Sequence, residues 1–512
     1  MGSLERLRHR FPAWLDAVYG SGAQVCYWLV ACLFPLLFIH ISPLATLGLA
    51  TLGGLFLGRE TARSFERNLA RNRLPAPSLP RAALWHWLIV GAIALNYAWF
   101  VFTDRPFVPG LLFLITLIVL RCIRTRSLFP LTPLDLPIAL LLLLTTLFSA
   151  VASVKSSLSY PKLYGVAFSI VLFYEMVYGL QQEDHLARWL VGLHLLGLAI
   201  ASLGLVGTDW FLNKVVDLSE VYTLIPQRIV TVPRSLQGGF HPNGIAGTLI
   251  YLIPLYIVAL RGRLFGSSRH RRLYTGLTAL TLVSTTLTLL LTQSRGAVAG
   301  LAIACVALFF ALKRRFRWSL LSIVCLLLLW VLLLASLPLL ANMPDVVEHT
   351  AVRQLLRSYH FRQRAWRLGL TVLETFPIKS AGIGTFDHVA RYLFPPLYFR
   401  DSHDLLRDRH TTITHAHNEL LQVAIDLGIP GFVAYVALLA AFARTAHRVY
   451  TWATDERLRR LILGLGAGML AHQIFGLTDA FLLGTKPGIV MWMIMGLTTG
   501  LYLTMAPDPP AP

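Results

Sequence analysis

Charge is scarce in this sequence. Only 14% of its 512 residues are charged, and acid is the rarer kind: 25 Asp and Glu stand against 45 Lys and Arg, a formal net charge of +20. A water-soluble domain carries about 25% charged residues, so the shortage argues against a soluble globular enzyme. Cysteine is sparse as well. The five present, Cys26, Cys32, Cys122, Cys305 and Cys325, lie within or at the edge of apolar runs, which excludes a disulfide scaffold of the usual kind. The sequence has no Asp-X-Asp pair of the sort that holds a divalent cation on a diphosphate, no HExxH and no tight Cys/His array. Low-complexity tracts, clear internal repeats and a soluble domain at either end are also missing.

What the chain has instead is apolar length. Hydrophobic residues make up 56% of it, with a mean hydropathy of +0.63. A bilayer core of about 30 Å needs roughly 17 to 25 apolar residues of helix, and up to fourteen such windows can be read. They lie near residues 23–42, 43–58, 83–102, 107–120, 133–153, 163–181, 189–207, 241–260, 274–292, 296–312, 318–341, 418–443, 461–480 and 488–506. The second and fourth are short, so twelve true spans is the alternative. A second span follows the first at once with no small-residue cleavage site between them, so the first is not a cleaved signal peptide. The expected fold is an all-α polytopic membrane protein of about 12 to 14 transmembrane helices. In that setting the basic excess marks loop orientation and anionic partners, not nucleic acid.

Placing the N-terminus, with Arg6, Arg8 and Arg10, in the cytoplasm and alternating sides puts the basic clusters inside. These include Arg59, Arg63, Arg67, Arg71 and Arg73, then Arg269, Arg271 and Arg272, then Lys313, Arg314, Arg315 and Arg317. Both termini are then cytoplasmic. Two long segments, 208–240 and 342–417, fall outside, where long translocated stretches escape the charge rule. The expected organisation is a multispan region 1–341 that includes the outer loop 208–240, an outer loop domain 342–417, and C-terminal spans 418–512. Pro344, Pro377, Pro395 and Pro396 divide the second outer segment into short pieces. Between Val352 and Phe376, apolar residues recur at threes and fours, which reads as one or two amphipathic helices against the membrane's outer face.

The outer side collects the groups that can do chemistry. Residues 342–417 hold ten Lys and Arg, seven Asp and Glu and seven of the sixteen histidines. Arg295, in Thr-Gln-Ser-Arg-Gly, is the single charge between two apolar helices. It either snorkels to headgroup phosphate or clamps an anion with its fixed fork of donors. His415-Ala416-His417-Asn418 opens the stretch Glu419 to Leu427, with Asn418 a good N-cap, Gly428 a plausible stop and Pro430 a bar to simple continuation. His417 therefore sits just before a helix start, whose positive dipole end disfavours imidazolium and attracts an anion. Such a histidine is either a structural hydrogen-bonder or a base. His410, His415 and His417 could reach one ion. Without an acidic cation holder, however, any pyrophosphate handled here must take its counter-charge from arginine, which favours a metal-independent mechanism with no cofactor.

These pieces resemble a family. His417-Asn418, nine residues, then Gly428-Ile429-Pro430-Gly431 resembles the HN-x9-GxxG signature of the O-antigen ligase and polymerase superfamily of bacterial inner-membrane proteins. Thr292-Gln293-Ser294-Arg295-Gly296 is similar to that family's TxSRG. Arg362-Gln363-Arg364-Ala365-Trp366, then Pro377 and Gly382-Ile383-Gly384, is similar to its RxxxW run and the P and GxG that follow. Phe240-His241-Pro242-Asn243-Gly244 is similar to its PN element. The likeness covers roughly residues 240–435, while the first half shows only multispan hydropathy.

The resemblance implies a metal-independent, inverting glycosyltransferase with a GT-C-like fold. It would act at the periplasmic face of the bacterial inner membrane, passing a glycan from undecaprenyl pyrophosphate to an acceptor hydroxyl. His417 would be the base, and Arg295 and Arg362 would hold the pyrophosphate. Arg364, His415, Asn418 and Asn243 would have supporting places in substrate binding. Within the superfamily, the compact outer loop and His241-Pro242-Asn243 favour a ligase using lipid A-core in lipopolysaccharide biosynthesis. A polymerase or a protein O-oligosaccharyltransferase is the alternative. A lipid-linked glycan transporter, from another class, would place its ionisable groups at the bilayer midplane, where only Glu175, His194 and a few others lie.

Overall fold

The computed structural model describes residues 23–70, 83–103, 106–125, 129–181, 185–208, 210, 216–225, 240–262, 271–341, 350–399, 413–481 and 483–506. Arg6, Arg8, Arg10, Arg71, Arg73, Arg105, Arg269, Pro344 and His410, with most of the outer loop 208–240, lie outside them. Among the described residues the elements are helices, and one isolated bridge joins Thr208 to Phe240. The chain is an all-α polytopic membrane protein. Every one of the fourteen apolar windows falls on a helix, and 9 helices among the described residues are long and apolar enough to cross a membrane.

In chain order the helices are α1 (Ala23–Leu33), α2 (Pro43–Ala70), α3 (Ala83–Thr103), α4 (Val108–Thr125), α5 (Asp135–Leu147), α6 (Ser156–Leu180), α7 (His185–Gly207), α8 (Ser219–Thr223) and α9 (Pro242–Gly262). They continue with α10 (Arg271–Leu291), α11 (Arg295–Leu312), α12 (Phe316–Ala341), α13 (Thr350–Thr375), α14 (Phe386–Leu393), α15 (Pro395–Tyr398), α16 (Glu419–Trp452), α17 (Glu456–Phe475) and α18 (Gly488–Met505).

One boundary differs from the sequence reading. The short second window is the first half of the 28-residue α2, which carries Arg59, Arg63 and Arg67 on helix, not loop. Its polar half is held by Glu66, which accepts from Arg444 (2.5 Å) and Arg448 (2.9 Å) of α16. The amphipathic stretch after residue 350, read as one or two helices, is a single helix of 26 residues.

The core is built around α16, which packs on α2, α5, α17 and α18, and around α17, which sits against α9 and α11. Small residues set the second contact. A methyl at Gly468 would stand 1.9 Å from the carbonyl of Tyr251, and one at Gly300 would stand 2.5 Å from that of Ala471. Glycine thus lets α17 approach α9 and α11 backbone to backbone, the usual packing device in lipid. Elsewhere in the span bundle, buried ionisable groups are tied to neighbours. Glu175 of α6 is paired with Arg121 of α4 and lies 3.4 Å from His86 of α3. His194 of α7 bonds the Leu190 carbonyl (2.7 Å) and the Thr278 hydroxyl of α10 (3.1 Å).

Candidate active site

Four helix ends meet at one end of the bundle: the starts of α9, α11 and α16, and the turn Gly476–Asp479 that follows α17. The basic residues Arg261, Arg271, Lys313, Arg314 and Arg315 lie at the other ends of α9, α10 and α11. The chain enters α16 through an N-cap that uses both ends of the Asn418 amide. Its Oδ1 accepts from the Leu421 amide (2.9 Å), and its Nδ2 donates to the Leu477 carbonyl (3.2 Å). The Glu419 amide donates to the Gly476 carbonyl at 2.6 Å. The histidine segment is thereby fastened to the end of α17.

The Gly-Ile-Pro-Gly element has an equally local cause. Gly428 takes φ +66°, a kink inside α16 after which the helix resumes to Trp452. A Cβ there would meet the Ile378 carbonyl at 2.3 Å, so only glycine fits. The Ile429 amide donates to the Pro377 carbonyl (2.8 Å) and the Ala381 amide to the Ile425 carbonyl (3.3 Å). The loop after α13 is seated on this kink, which explains why two motifs some fifty residues apart belong together.

Arg295 and Arg362 line one cavity of about 290 Å³, with Asn243, Ser358, Tyr359 and Trp330 among its walls. Arg295 donates to the Ser358 hydroxyl at 3.3 Å. Arg362 donates through Nε to the Thr478 carbonyl at 2.8 Å and reaches the Ser358 carbonyl at 3.5 Å. These bonds use only part of the five donors on each guanidinium. Burial pulls the Arg362 guanidinium below its ordinary value while Asp479 pulls it back up, and it remains charged. Among the described residues the cavity thus offers two cations and no lining carboxylate, with an apolar flank at Trp330, Leu333 and Leu355.

A second centre adjoins it. His417 has φ +48°, a left-handed conformation uncommon outside glycine and found where surrounding structure imposes it. The Trp366 indole donates to its carbonyl at 3.2 Å. Its Nδ1 stands 3.2 Å from Asp479 Oδ1, in ion-pair range though poorly aligned as a hydrogen bond. The same oxygen is 2.8 Å from His415 Nε2, and Asp479 Oδ2 accepts from Asn243 Nδ2 at 2.7 Å. The two imidazole rings lie 4.1 Å apart, centre to centre.

The electrostatics follow from this crowding. Burial chiefly lowers the His417 imidazole below its ordinary value, with Asp479 offsetting part of the drop and His415 and Arg362 adding to it. Burial alone would raise the Asp479 carboxyl, but His415 and His417 hold it well below the usual carboxylate range. The result is a neutral imidazole next to a charged carboxylate. With Nδ1 turned to Asp479, the proton of neutral His417 belongs on Nδ1 and the lone pair on Nε2.

Of the residues the sequence singled out, Arg295, Arg362 and Asn243 line the first cavity, His415 and His417 a second one, and Asn418 caps the helix beside them. Arg364 lines neither, since two residues along α13 turn it away from the Arg362 and Trp366 face. The residue that sequence reasoning missed is Asp479. Its signal was present: it is the single acid between Glu456 and Asp508, next to an apolar span, the same criterion that marked Arg295. Donor atoms of His415, His417 and Asp479 lie within 4.8 Å of one another, close enough to hold an ion. His410, the third histidine of the sequence reading, lies outside the described residues.

Residues 279–436 match the Wzy_C family model, described as O-antigen ligase. No curated protein matches the chain. The matched segment contains Arg295, Arg362 and His417 and stops short of Asn243 and Asp479, so two of the groups that hold the imidazole centre together come from outside it. Over that segment the chain is similar to the O-antigen ligase family.

Proposed function

We propose that the protein is an O-antigen ligase of the bacterial inner membrane. It would transfer a glycan from undecaprenyl pyrophosphate to a sugar hydroxyl of lipid A-core, without a metal ion and with inversion at the anomeric carbon. The observation that carries this reading is the convergence of Arg295, Arg362, His417 and Asp479, far apart in sequence, at one end of the bundle. Basic residues gathered at the opposite end support a periplasmic site by the positive-inside rule. In this reading residues 342–417 are the periplasmic catalytic loop, between the spans of 1–341 and those of 418–512, in a GT-C-like arrangement.

In the mechanism the two guanidiniums hold the pyrophosphate, and their charge is worth most as negative charge grows on the departing oxygen. The flank of Trp330, Leu333 and Leu355 suits the isoprenoid next to it. His417 Nε2 takes the proton of the acceptor hydroxyl as its oxygen attacks the anomeric carbon and the carbon–oxygen bond to pyrophosphate breaks. A general base of this kind contributes about 10² to 10⁴ in rate. Asp479 holds the tautomer and stabilises the imidazolium formed, while Asn243 and His415 hold Asp479. A metal ion on His415, His417 and Asp479 would occupy the base, so transfer should proceed in chelator.

The test is a gel-shift assay of purified protein with undecaprenyl-pyrophosphate glycan and lipid A-core in excess EDTA. A shifted lipid A-core supports the ligase. Lengthening of the lipid-linked glycan instead would make the protein a polymerase, and loss of transfer in EDTA would overturn the metal-free mechanism. Transport of the lipid-linked glycan in liposomes that survives His417→Ala would move the protein to another class.

A further inference from the structure

His417 lines a second cavity, about 640 Å³ and built from different chemistry. Its walls include two aromatic rings beside the histidines. Phe361 stands edge-on to His417 at 5.3 Å between ring centres, and Phe481 lies 5.6 Å from His415. The same cavity is also lined by Asp426, Gln422 and Lys162. Asp426 is 6% exposed. Its Oδ1 accepts from Gln422 Nε2 at 2.9 Å and from the Gly384 amide at 3.2 Å, while no described residue hydrogen-bonds its Oδ2. Lys162 lies within Coulombic reach of Asp426, but among the described residues the two form no ion pair.

A carboxylate oxygen on a cavity wall, with no hydrogen bond from the described residues, can accept from donors that enter the cavity. Aromatic walls need an apolar face to cover. A pyranose presents both, hydroxyl groups at its rim and C–H bonds on its faces. The charge decides which pyranose. Among the described lining residues the arginine cavity has two guanidiniums and no acid, whereas this one sets the acids Asp426 and Glu419 beside one lysine and three imidazoles, so an acidic sugar or a phosphate finds no paired guanidiniums here.

We propose that this cavity is the acceptor subsite and that it selects a neutral, hydroxyl-rich pyranose, with Asp426 as the hydrogen-bond acceptor and Phe361 and Phe481 as the walls. The proposal rests on the glycosyl-transfer reading and names the chemical class of its acceptor: a neutral sugar hydroxyl, not a serine hydroxyl of a protein. His417 lines this cavity and lies within Coulombic reach of Arg362, which lines the other, so one imidazole serves both.

Initial rates of the purified full-length protein against lipid A-core, and separately against lipid-linked donor, test this. Asp426→Asn should raise the acceptor KM about tenfold with the donor KM unchanged. Phe481→Leu, on a wall that carries none of the Asp426 hydrogen bonds, should show the same split and guards against misfolding of the first variant. In competition, a neutral methyl hexopyranoside should inhibit at lower concentration than the matching uronic acid, and Asp426→Asn should erase that preference. An unchanged acceptor KM, a raised donor KM, or stronger inhibition by the uronic acid would overturn the assignment. A wild-type protein that transfers to no sugar acceptor would instead sink the glycosyl-transfer reading on which it rests.

Discussion

Glu175 and Asp479 are both buried carboxylates held by histidine, and their surroundings differ in ways that separate a structural charge from a working one. Glu175 is fully enclosed with His86 and Arg121, and Arg121 is stacked over the Tyr178 ring at 4.8 Å. Its full cationic partner neutralises it within the spans, and neither cavity at the site reaches it. Asp479 is as deeply buried, but its partners His415 and His417 keep side-chain exposures of 20% and 16% and open onto a cavity. It is paired with groups that can be neutral. One arrangement pins α3, α4 and α6 together; the other leaves an imidazole free to gain and lose a proton.

The comparison breaks most visibly at the two centres themselves. Replacing His417 by Ala should lower transfer by at least about 10² with thermal stability retained. Glu175→Gln should do the reverse: it takes the carboxylate away from the buried Arg121, a loss of about 3 to 5 kcal/mol seen as a lower Tm in detergent, with kcat retained in the protein that folds. If Glu175→Gln cut kcat in well-folded protein, the division between the two centres would fail.

Next in size, Arg295→Ala and Arg362→Ala should each lower transfer by about 10² to 10³, the scale for loss of one donor to developing charge. Lysine at position 295 should not restore it, because an ammonium lacks the bidentate fork. Full activity of Arg295→Lys would mean that the cavity needs charge alone.

Asp479→Asn should cost about tenfold to hundredfold in transfer and also move the pH profile. The His417 imidazole lies below its ordinary value, so its base form persists as pH falls, and the acid limb of kcat/KM should lie below about pH 6.5. Asp479 favours imidazolium, so its removal lowers the His417 value further and shifts that limb to more acid pH. A shift toward alkaline pH would contradict the placement of Asp479 on Nδ1. The smallest expected effect is that of Asn243→Ala, a several-fold loss, since it removes one of the bonds to Asp479 and leaves the His415 contact in place.

Much of this was legible in the chain. Apolar length marks helices because a bilayer leaves the backbone no other way to satisfy its hydrogen bonds, and all fourteen windows became helix. The cap at Asn418 and the break at Gly428 were legible because each is a property of a few consecutive residues. The polar half of α2 was not, since Glu66 finds Arg444 and Arg448 only across the bundle. Nor was Asp479, a lone acid whose meaning depends on which histidines face it.

The residue types at the site, the helical membrane fold and the basic asymmetry between its two ends were determined by sequence alone, because charge and hydropathy act locally and the bilayer sorts them. Which groups share a cavity was decided only by tertiary structure. Glycines at 300 and 468 bring α17 against α9 and α11, and that approach carries Asp479 to His417 and the Thr478 carbonyl to Arg362. The division into an arginine side and an aromatic, carboxylate-lined side follows from the same packing, since burial and pairing are properties of neighbours in space.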